Sequence, residues 1–282
     1  MPGSGENLPR RQKLCFVGDS GCGKTCLLTT TTKGTYPQAS NMQHGGSGLS
    51  IGYEPTTFEN YVSEVDVRNG AKIELEIWDT AGQELYDNLR ALSYPDSHAL
   101  VMCFSIGDPL SYHHVLEKWL PEATRFCPET PIFVVGCKQD LRFDHKTIAE
   151  LQRSGQLPLT TAEGLAAAGR IGAKYYIETS AKTSYGIDNL LAIIADEVLK
   201  TSHAEPASSI ARRFHEDARL INEERRNLRA SGEILTPREK EYASKYVRVL
   251  DEPNSTVWRL QEHQIVDKGT NASRSSFFRK AS

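Results

Sequence analysis

The chain has 282 residues, a formal net charge of −3 and an isoelectric point near 6.3. A charge balance this close to neutral argues against a general nucleic-acid binder, which would present a strongly basic surface. Residues 1–14 lack the apolar core of a signal peptide, and no stretch approaches the roughly 20 apolar residues of a membrane span. The six cysteines lack the paired spacing of a zinc site or disulfide scaffold, so the sequence predicts a reduced, cytoplasmic protein.

Short β-forming runs alternate with helical runs over residues 13–200. Strands are predicted at 13–17, 61–67, 73–78, 99–104, 132–135 and 175–177, and helices at 24–32, 112–126, 161–171 and 187–200. Asn69-Gly70 separates the second and third strands and predicts a hairpin. Because strands alternate with helices, we expect an α/β fold with a mostly parallel six-stranded sheet, helices on both faces and one antiparallel edge.

Three segments lie outside this alternation. Residues 1–12 are expected to be a flexible N-terminus, and residues 38–52 are small, polar and glycine-rich, which indicates a flexible loop. In the C-terminal extension, residues 201–282, the strand pattern stops. Apolar spacing predicts helices at 208–230 and 237–250, and composition indicates disorder from about residue 251. The extension is therefore expected to be partly helical and then disordered.

A phosphate-binding P-loop is predicted between the first strand and the first helix, where the sequence reads GDSGCGKT from Gly18. Glycines let backbone N–H groups point at phosphates, and the helix N-terminus adds partial positive charge. Lys24 is expected to reach the β- and γ-phosphates, and the Thr25 hydroxyl to ligate Mg²⁺. The alternative is an accidental glycine-rich turn, which the flanking strand and helix disfavour. The nucleotide-binding residues predicted here are Asp19, Ser20, Gly21, Cys22, Gly23, Lys24, Thr25 and Cys26.

The third predicted strand ends in a second candidate segment, DTAGQ, from Asp79 to Gln83. Asp79 can hold Mg²⁺ through water, Gly82 can place its N–H on the γ-phosphate, and Gln83 can orient the attacking water. Alone, such a segment is most often only a turn. Its position downstream of a P-loop favours the catalytic interpretation, in which Lys24 and Gln83 are the catalytic residues.

Two further segments are candidates for reading the base. Cys137-Lys138-Gln139-Asp140 follows an apolar strand, and the carboxylate of Asp140 can accept both N1–H and N2–H of guanine, a donor pair that adenine lacks. The alternative is an ordinary surface turn. The stretch ETSAK, from Glu178, ends the last strand, where the N–H of Ala181 can meet the guanine carbonyl oxygen. Base-site residues are therefore predicted at Cys137, Lys138, Asp140, Ser180, Ala181 and Lys182.

The ordered motifs GDSGCGKT, PTTFENY, WDTAGQE, CKQD and ETSAK resemble those of the Rho family of Ras-like small GTPases. Residues 142–158 resemble the extra helix that separates Rho proteins from other Ras relatives. The resemblance covers residues 13–200 and implies a P-loop NTPase fold of the Ras-like kind. It implies a GTP-binding switch in signal transduction that uses Mg²⁺ and hydrolyses GTP to GDP and phosphate.

The resemblance also implies roles for residues in and near the first switch loop. Thr56 would be the second direct Mg²⁺ ligand beside Thr25, with Asp79 ligating through water. Tyr36 would stack on the base, and Tyr53 would cover the phosphates. Effectors, an exchange factor and an activating protein would bind through the switch loops.

Two departures from the family pattern concern the nucleotide site. Ser20 stands where signalling members carry glycine, and its side chain intrudes on the space of Gln83 and of an activating protein's arginine finger, so slow hydrolysis is expected. Cys137 replaces the usual asparagine, and a thiol cannot reproduce an amide's two-sided bonding, so weaker nucleotide binding is expected. Both features resemble the Rnd branch, regarded as persistently GTP-bound, although that branch lacks a glutamine equivalent to Gln83. A persistently GTP-bound binding module is therefore the alternative function.

Two other departures concern regulation. Residues 38–52 lengthen the first switch loop by roughly thirteen residues, either as a real insertion or as a mis-spliced gene model. Residues 277–282 contain no cysteine, so the family's prenylation box is not expected. Membrane contact, such as peripheral binding at the plasma membrane, would then depend on the helix predicted at 208–230, whose mixed charges favour packing on protein instead.

Overall fold

The computed structural model describes residues 10–37, 58–67, 70–200, 235–248 and 256–261. The strands are β1 (Arg10–Gly18), β2 (Phe58–Asp66), β3 (Lys72–Thr80), β4 (Ala99–Ser105), β5 (Ile132–Cys137), β6 (Tyr175–Glu178), β7 (Tyr246–Arg248) and β8 (Val257–Leu260). The helices are α1 (Lys24–Lys33), α2 (Asp87–Ala91), α3 (Pro109–His114), α4 (Leu120–Phe126), α5 (His145–Arg153), α6 (Thr161–Ile171), α7 (Leu190–Lys200) and α8 (Pro237–Ser244). A π-helical segment, Val115–Trp119, joins α3 to α4, and 3₁₀ turns occupy Glu84–Tyr86 and Gln139–Phe143.

The strands form one sheet in the order β2-β3-β1-β4-β5-β6-β8-β7. β3, β1, β4, β5 and β6 are parallel, whereas β2, β8 and β7 run antiparallel to their neighbours. β4 and β5 are buried along their whole length because both faces of the sheet are covered. The carboxyl ends of β1, β3, β5 and β6 consequently meet at one edge, which is where parallel α/β sheets bind their ligands.

Two hydrophobic clusters cover the two faces of the sheet. One contains Trp119, Tyr112 and Phe104 and packs the helices that follow β4 and α5 against the sheet. The other contains Leu27, Leu75 and residues of α7. The α/β fold with helices on both faces, predicted from the alternation of patterns, is therefore confirmed.

The predicted elements between residues 13 and 200 form, with shifted ends. The segment predicted as one helix at 112–126 begins earlier, because Asp108 caps the first turn through its Oδ1, 3.1 Å from the Leu110 amide. The predicted helix at 161–171 has the observed bounds, fixed by a capping box between Thr160 and Glu163. Residues 142–158 contain α5, which Asp144 caps through the Thr147 amide at 2.9 Å.

The expectation that no strands follow residue 201 is wrong. β7 and β8 form a hairpin that adds to the sheet beside β6, and the helix predicted at 237–250 ends at Ser244. Strands of three and four residues carry little sequence signal, since their stability comes from pairing with a neighbour. Residues 257–260 therefore form a strand where disorder was expected. The helix predicted at 208–230 lies outside the described residues.

None of the described helices is long and apolar enough to cross a bilayer.

Candidate functional site

The predicted P-loop connects β1 to α1 and has the backbone that phosphate binding requires. Gly21 and Gly23 have φ values of +76° and +116°, a left-handed region that side-chain-bearing residues rarely adopt. At Gly18, an added Cβ would lie 2.2 Å from the carbonyl oxygen of Cys103. Lys24 is 5% exposed and its ammonium donates to the carbonyl oxygens of Gly18 and Asp19 at 2.8 and 2.9 Å. The lysine is thereby held inside the concave side of the loop.

A buried carboxylate lies beside the start of α1. Asp79, at the end of β3, is fully buried, and neither of its oxygens has a hydrogen bond of good geometry within the described part of the chain. Burial raises its pKa to about 6, although the hydroxyl of Thr25 and the charge of Lys24 act in the opposite direction. A buried carboxylate beside a threonine hydroxyl fits a hard cation such as Mg²⁺. The predicted metal residues Thr25 and Asp79 are thus brought together, whereas Thr56 lies outside the described residues.

The base-reading candidates line one pocket of about 270 Å³. Asp140 is oriented there by the Ser180 hydroxyl, which donates to its Oδ1 at 2.6 Å. Lys138 has a φ of +56° and extends its ammonium to the Gly21 carbonyl oxygen, at 2.6 Å, so it ties this pocket to the P-loop. The lining residues are Gly23, Cys26, Leu27, Tyr36, Cys137, Lys138, Asp140, Leu141, Thr179, Ala181 and Lys182.

The DTAGQ segment packs directly on the P-loop. A Cβ added to Gly82 would lie 2.2 Å from the Ser20 nitrogen and 2.4 Å from the Asp19 carbonyl carbon, so only glycine fits. Ser20 itself is exposed, and Gln83 is the next residue after this contact. The structure therefore places the backbone of Ser20 against Gly82, the residue before Gln83.

Comparison with known proteins identifies the part of the chain that contains these residues. A family model described as the Ras family matches residues 13–200. The GTP-binding protein RHO1 of Candida albicans is 51% identical over 177 residues, which are 63% of this chain and 82% of the relative. GTP-binding protein rho5 of Schizosaccharomyces pombe is 50% identical over 66% of this chain and 86% of its own length. GTP-binding protein RHO1 of Saccharomyces cerevisiae is 51% identical over 63% and 78%.

The chain belongs to the Rho family of Ras-like small GTPases. The resemblance inferred from five short motifs is confirmed. In this small GTPase the predicted P-loop contacts both the DTAGQ segment, through Gly82, and the pocket that contains Asp140, through Lys138.

Cys137 occupies a position between the P-loop and the ETSAK turn of this GTPase. A Cβ added to Gly23 would lie 3.2 Å from the Cys137 Cβ, and the thiol is buried. A hydrogen bond from Cys103 lowers the pKa of Cys137 against the effect of burial. On the other side, the Thr179 hydroxyl also acts on the thiol and lowers its pKa. A thiol is nevertheless a weak hydrogen-bonding group, whereas an amide at this position would supply both a donor and an acceptor.

Replacing Cys137 by asparagine is expected to tighten GDP binding about 10- to 100-fold, because the amide restores roughly 1–3 kcal/mol of hydrogen bonding. Titration calorimetry with GDP measures this change. Cys137→Ala is the matched control, since it removes the thiol and supplies no hydrogen bond. An asparagine variant that binds no more tightly than the alanine variant would contradict the interpretation.

The two cysteines nearest the phosphates have the properties of packing residues. Burial raises the pKa of Cys22 to about 11 and also raises the pKa of Cys26. A higher pKa lowers the thiolate fraction, which is the reactive form. Both cysteines are free, and their raised pKa values favour an inert packing role over redox sensitivity.

Sequence reasoning missed a network beneath the second switch. Arg90 is buried, donates to the Ala81 carbonyl oxygen at 2.9 Å and pairs with Glu122 at 2.6 Å. Its guanidinium lies over the ring of Trp119, 4.6 Å from the centroid. The Trp119 indole in turn donates to Asp19 Oδ1 at 2.8 Å. The network therefore connects the DTAGQ segment to the P-loop through helix side chains.

The other oxygen of Asp19 is also engaged. Nδ1 of His114 lies 2.6 Å from Asp19 Oδ2. His114 and Trp119 belong to the helical run after β4, about 100 residues beyond the P-loop, so no local pattern links them to it. These contacts fix the second residue of the P-loop from outside the loop.

Several predicted residues cannot be placed. Thr56, Tyr53 and the loop at 38–52 lie outside the described residues, as do residues 201–234. Tyr36 is described, and it lines the base pocket with 44% of its surface exposed.

Proposed function

We propose that this Rho-family chain binds GTP and GDP together with Mg²⁺ and acts as a molecular switch that hydrolyses GTP slowly. One observation carries the proposal: the pocket that contains Asp140 opens beside the P-loop and is tied to it by the 2.6 Å contact from Lys138 to Gly21. A base site and a phosphate site joined in this way suit a nucleoside di- or triphosphate. The names of the relatives, each a GTP-binding protein, support the same class of ligand.

Guanine selectivity is assigned to Asp140. Its carboxylate accepts from two neighbouring donors of guanine, whereas adenine would leave a desolvated charge unmatched. Ser180 orients the carboxylate, and Ala181 and Lys182 close the pocket beside it. The expected preference is therefore GDP over ADP.

Hydrolysis is assigned to the opposite end of the site. The main-chain N–H groups of the P-loop hold the phosphates, and the Lys24 ammonium neutralises charge that develops on them. Thr25, Thr56 and Asp79 would hold Mg²⁺, which would neutralise negative charge on the phosphates. Gln83 positions the water that attacks the γ-phosphorus. As the bond from the γ-phosphorus to the β-phosphate oxygen breaks, GDP leaves and the proton of the water passes to the released phosphate.

Switching follows from the same contacts. Gly82 packs on the P-loop backbone, so a γ-phosphate bound at this point would change the position of the DTAGQ segment. Effectors, an exchange factor and an activating protein would read that difference. The six free cysteines support a reducing, cytoplasmic location.

Chromatography of nucleotide released from the purified protein tests the proposal. Bound GDP is expected, because a cycling GTPase accumulates its product. Bound GTP would favour the alternative, a persistently GTP-bound module, for which Ser20 and Cys137 are the supporting residues. An empty site, with no calorimetric signal from GDP in the presence of Mg²⁺, would overturn both.

Replacing Ser20 by glycine is expected to restore stimulation by an activating protein, because it removes a side chain from the residue whose backbone packs on Gly82, the neighbour of Gln83. An arginine finger admitted to the site accelerates hydrolysis by about 10³- to 10⁵-fold. Single-turnover GTP hydrolysis, measured with and without an activating protein, gives the result. Ser20→Ala is the control and should stay slow. A glycine variant as slow as wild type would show that Ser20 does not limit hydrolysis.

A further inference from the structure

The two strands of the C-terminal extension, here called the tail hairpin (β7 and β8), complete the sheet of the GTPase domain. β8 pairs antiparallel with β6, where Trp258 lies opposite Tyr176 and Val257 opposite Ile177. β7 then pairs with the outer edge of β8. Without β8, the outward N–H and C=O groups of β6 would form an open sheet edge. The hairpin therefore belongs to the sheet that builds the nucleotide site.

The hairpin joins both hydrophobic clusters. The ring of Trp258 stacks on Tyr176, with ring centroids 5.6 Å apart, in one cluster. Val257 is buried in the other cluster, on the opposite face of the sheet. The Tyr246 hydroxyl donates to the Ala173 carbonyl oxygen at 2.6 Å, just before β6 begins. Contacts on both faces and along the edge hold β8 against the whole of β6.

Helix α8 adds a buried charge pair with α6, and this pair restricts how the C-terminal extension can dock. Glu239 is fully buried, and its carboxylate lies 4.0 Å from the Arg170 guanidinium on α6. Thr236 and Glu239 form a reciprocal capping pair, with backbone-to-side-chain distances of 3.0 and 3.1 Å. Because an unpaired buried carboxylate is strongly disfavoured, the extension is expected to dock in this one arrangement.

Thr256, the residue directly before β8, contacts Glu178, which begins the ETSAK turn. The Glu178 amide donates to the Thr256 carbonyl oxygen at 2.9 Å. The Glu178 carboxylate accepts from both terminal nitrogens of Arg142 at 2.8 Å and from the Tyr176 hydroxyl at 2.9 Å. A Cβ added to Gly186, after the turn, would lie 2.9 Å from the Thr256 hydroxyl. Both ends of the turn are thus packed against Thr256.

The ETSAK turn contains the residues that the proposed function places against the base. Ser180 exchanges backbone hydrogen bonds with Tyr185 at 2.9 and 3.1 Å, and its hydroxyl holds Asp140. The Gln139 amide donates to the Thr179 carbonyl oxygen at 3.0 Å, which links the turn to the segment that contains Asp140. A displacement of β6 is therefore transmitted through Glu178 to the residues that face guanine.

We propose that the tail hairpin is a part of the guanine site and that its docking on β6 sets the lifetime of the bound nucleotide. The proposal rests on the proposed binding of guanine nucleotides. Trp258, Val257 and Thr256 act as positioning residues, since they hold the strand and the turn while Asp140 and Ala181 face the base. The family model ends at residue 200, so this support comes from outside the matched domain.

The test measures release of mant-GDP from the full-length protein after addition of excess unlabelled GDP. Trp258→Ala removes the ring stacked on Tyr176 and is expected to speed release about 3- to 30-fold, the range of couplings carried through packed residues. Trp258→Phe keeps a ring and should remain within about twofold of wild type. Val257→Ala is the milder variant for use if Trp258→Ala does not fold, and it should also speed release.

Two controls separate positioning from general destabilisation. Gln261→Ala changes an exposed side chain directly after β8 and keeps the backbone bond to Lys245, so it should leave release unchanged. Val67→Ala lies at the far end of the β2–β3 hairpin, and it should lower the Tm without speeding release.

The outcomes are distinct. Release from both Trp258→Ala and Val257→Ala at the wild-type rate would overturn the role of the hairpin, as would equal acceleration by Val67→Ala at equal loss of Tm. Failure of wild type to retain mant-GDP would instead overturn the guanine-nucleotide proposal, and the role of the hairpin with it.

Discussion

Replacing Asp140 by asparagine is expected to lower the affinity for GDP about 100- to 1,000-fold, a loss of roughly 3–4 kcal/mol. The carboxylate offers two acceptors to the paired donors of guanine, whereas an amide offers one acceptor and one donor. The amide donor would face a guanine donor inside the pocket that Asp140 lines. Xanthine carries an oxygen acceptor in place of the guanine amino group, so XDP should bind the variant more tightly than it binds wild type.

Titration calorimetry with GDP, XDP and ADP distinguishes base reading from general damage. Ser180→Ala is the matched control, because it removes the 2.6 Å bond that orients Asp140 and leaves the charge in place. That variant should lose less than about tenfold in GDP affinity, as expected for one hydrogen bond. Equal losses for all three nucleotides in the asparagine variant would mean that Asp140 supports the fold and does not read the base.

The location of this site was predictable because it depends on strand ends. Parallel strands bring their carboxyl ends to one edge, so motifs that directly follow β1, β3, β5 and β6 had to meet there. The chemistry of each motif was also readable from residue type, since Lys24 and Asp140 have few other uses at those positions. Local sequence was therefore enough to predict both the place of the candidate site and its class of ligand.

What sequence reasoning missed depends on contacts between distant residues. Trp119 and His114 hold Asp19 across about 100 positions, and Arg90 joins Trp119 to the second switch. A tryptophan in an amphipathic helix indicates a core residue, and only the packing of that helix shows which polar group its indole reaches. Such contacts follow from the tertiary arrangement and leave no periodic pattern.

The tail hairpin was missed for a related reason. The apolar–polar alternation of residues 257–260 is too short to predict a strand, and the neighbouring residues are polar. Their strand is stabilised by the open edge of β6, which is itself only four residues long. Neither strand carries a strong signal alone, and the pairing between them can be seen only once the sheet is assembled.

Replacing Asp79 by asparagine is expected to change stability and nucleotide binding in opposite directions. Burial raises the pKa of this carboxylate from 3.8 to about 6. In nucleotide-free protein at pH 7.5 the ionised carboxylate is therefore destabilising, by on the order of 2–3 kcal/mol, and the neutral amide removes that cost. The Tm of the nucleotide-free variant should exceed that of wild type at pH 7.5, and the difference should disappear as pH falls from 6 towards 4.

Binding of Mg²⁺ and nucleotide should respond in the other direction. The buried carboxylate of Asp79 lies beside the Thr25 hydroxyl, and its anionic oxygens are the groups available to a cation there. An amide has no charge to offer a hard cation, so the Mg²⁺-dependent gain in GDP affinity should be largely lost. Calorimetry in Mg²⁺ and in chelator measures this gain, and thermal melts of nucleotide-free protein measure the stability.

The exposed carboxylate of Glu84 provides the control, since Glu84→Gln removes the same charge from the surface of the second switch. Neither the Tm nor the Mg²⁺ dependence should change in that variant. An Asp79→Asn protein that is less stable without nucleotide would show that the carboxylate has a structural partner. One that keeps the Mg²⁺-dependent gain would show that the cation binds elsewhere. The opposed pair of effects is expected only if Asp79 is held at an energetic cost to the empty protein in order to bind a cation.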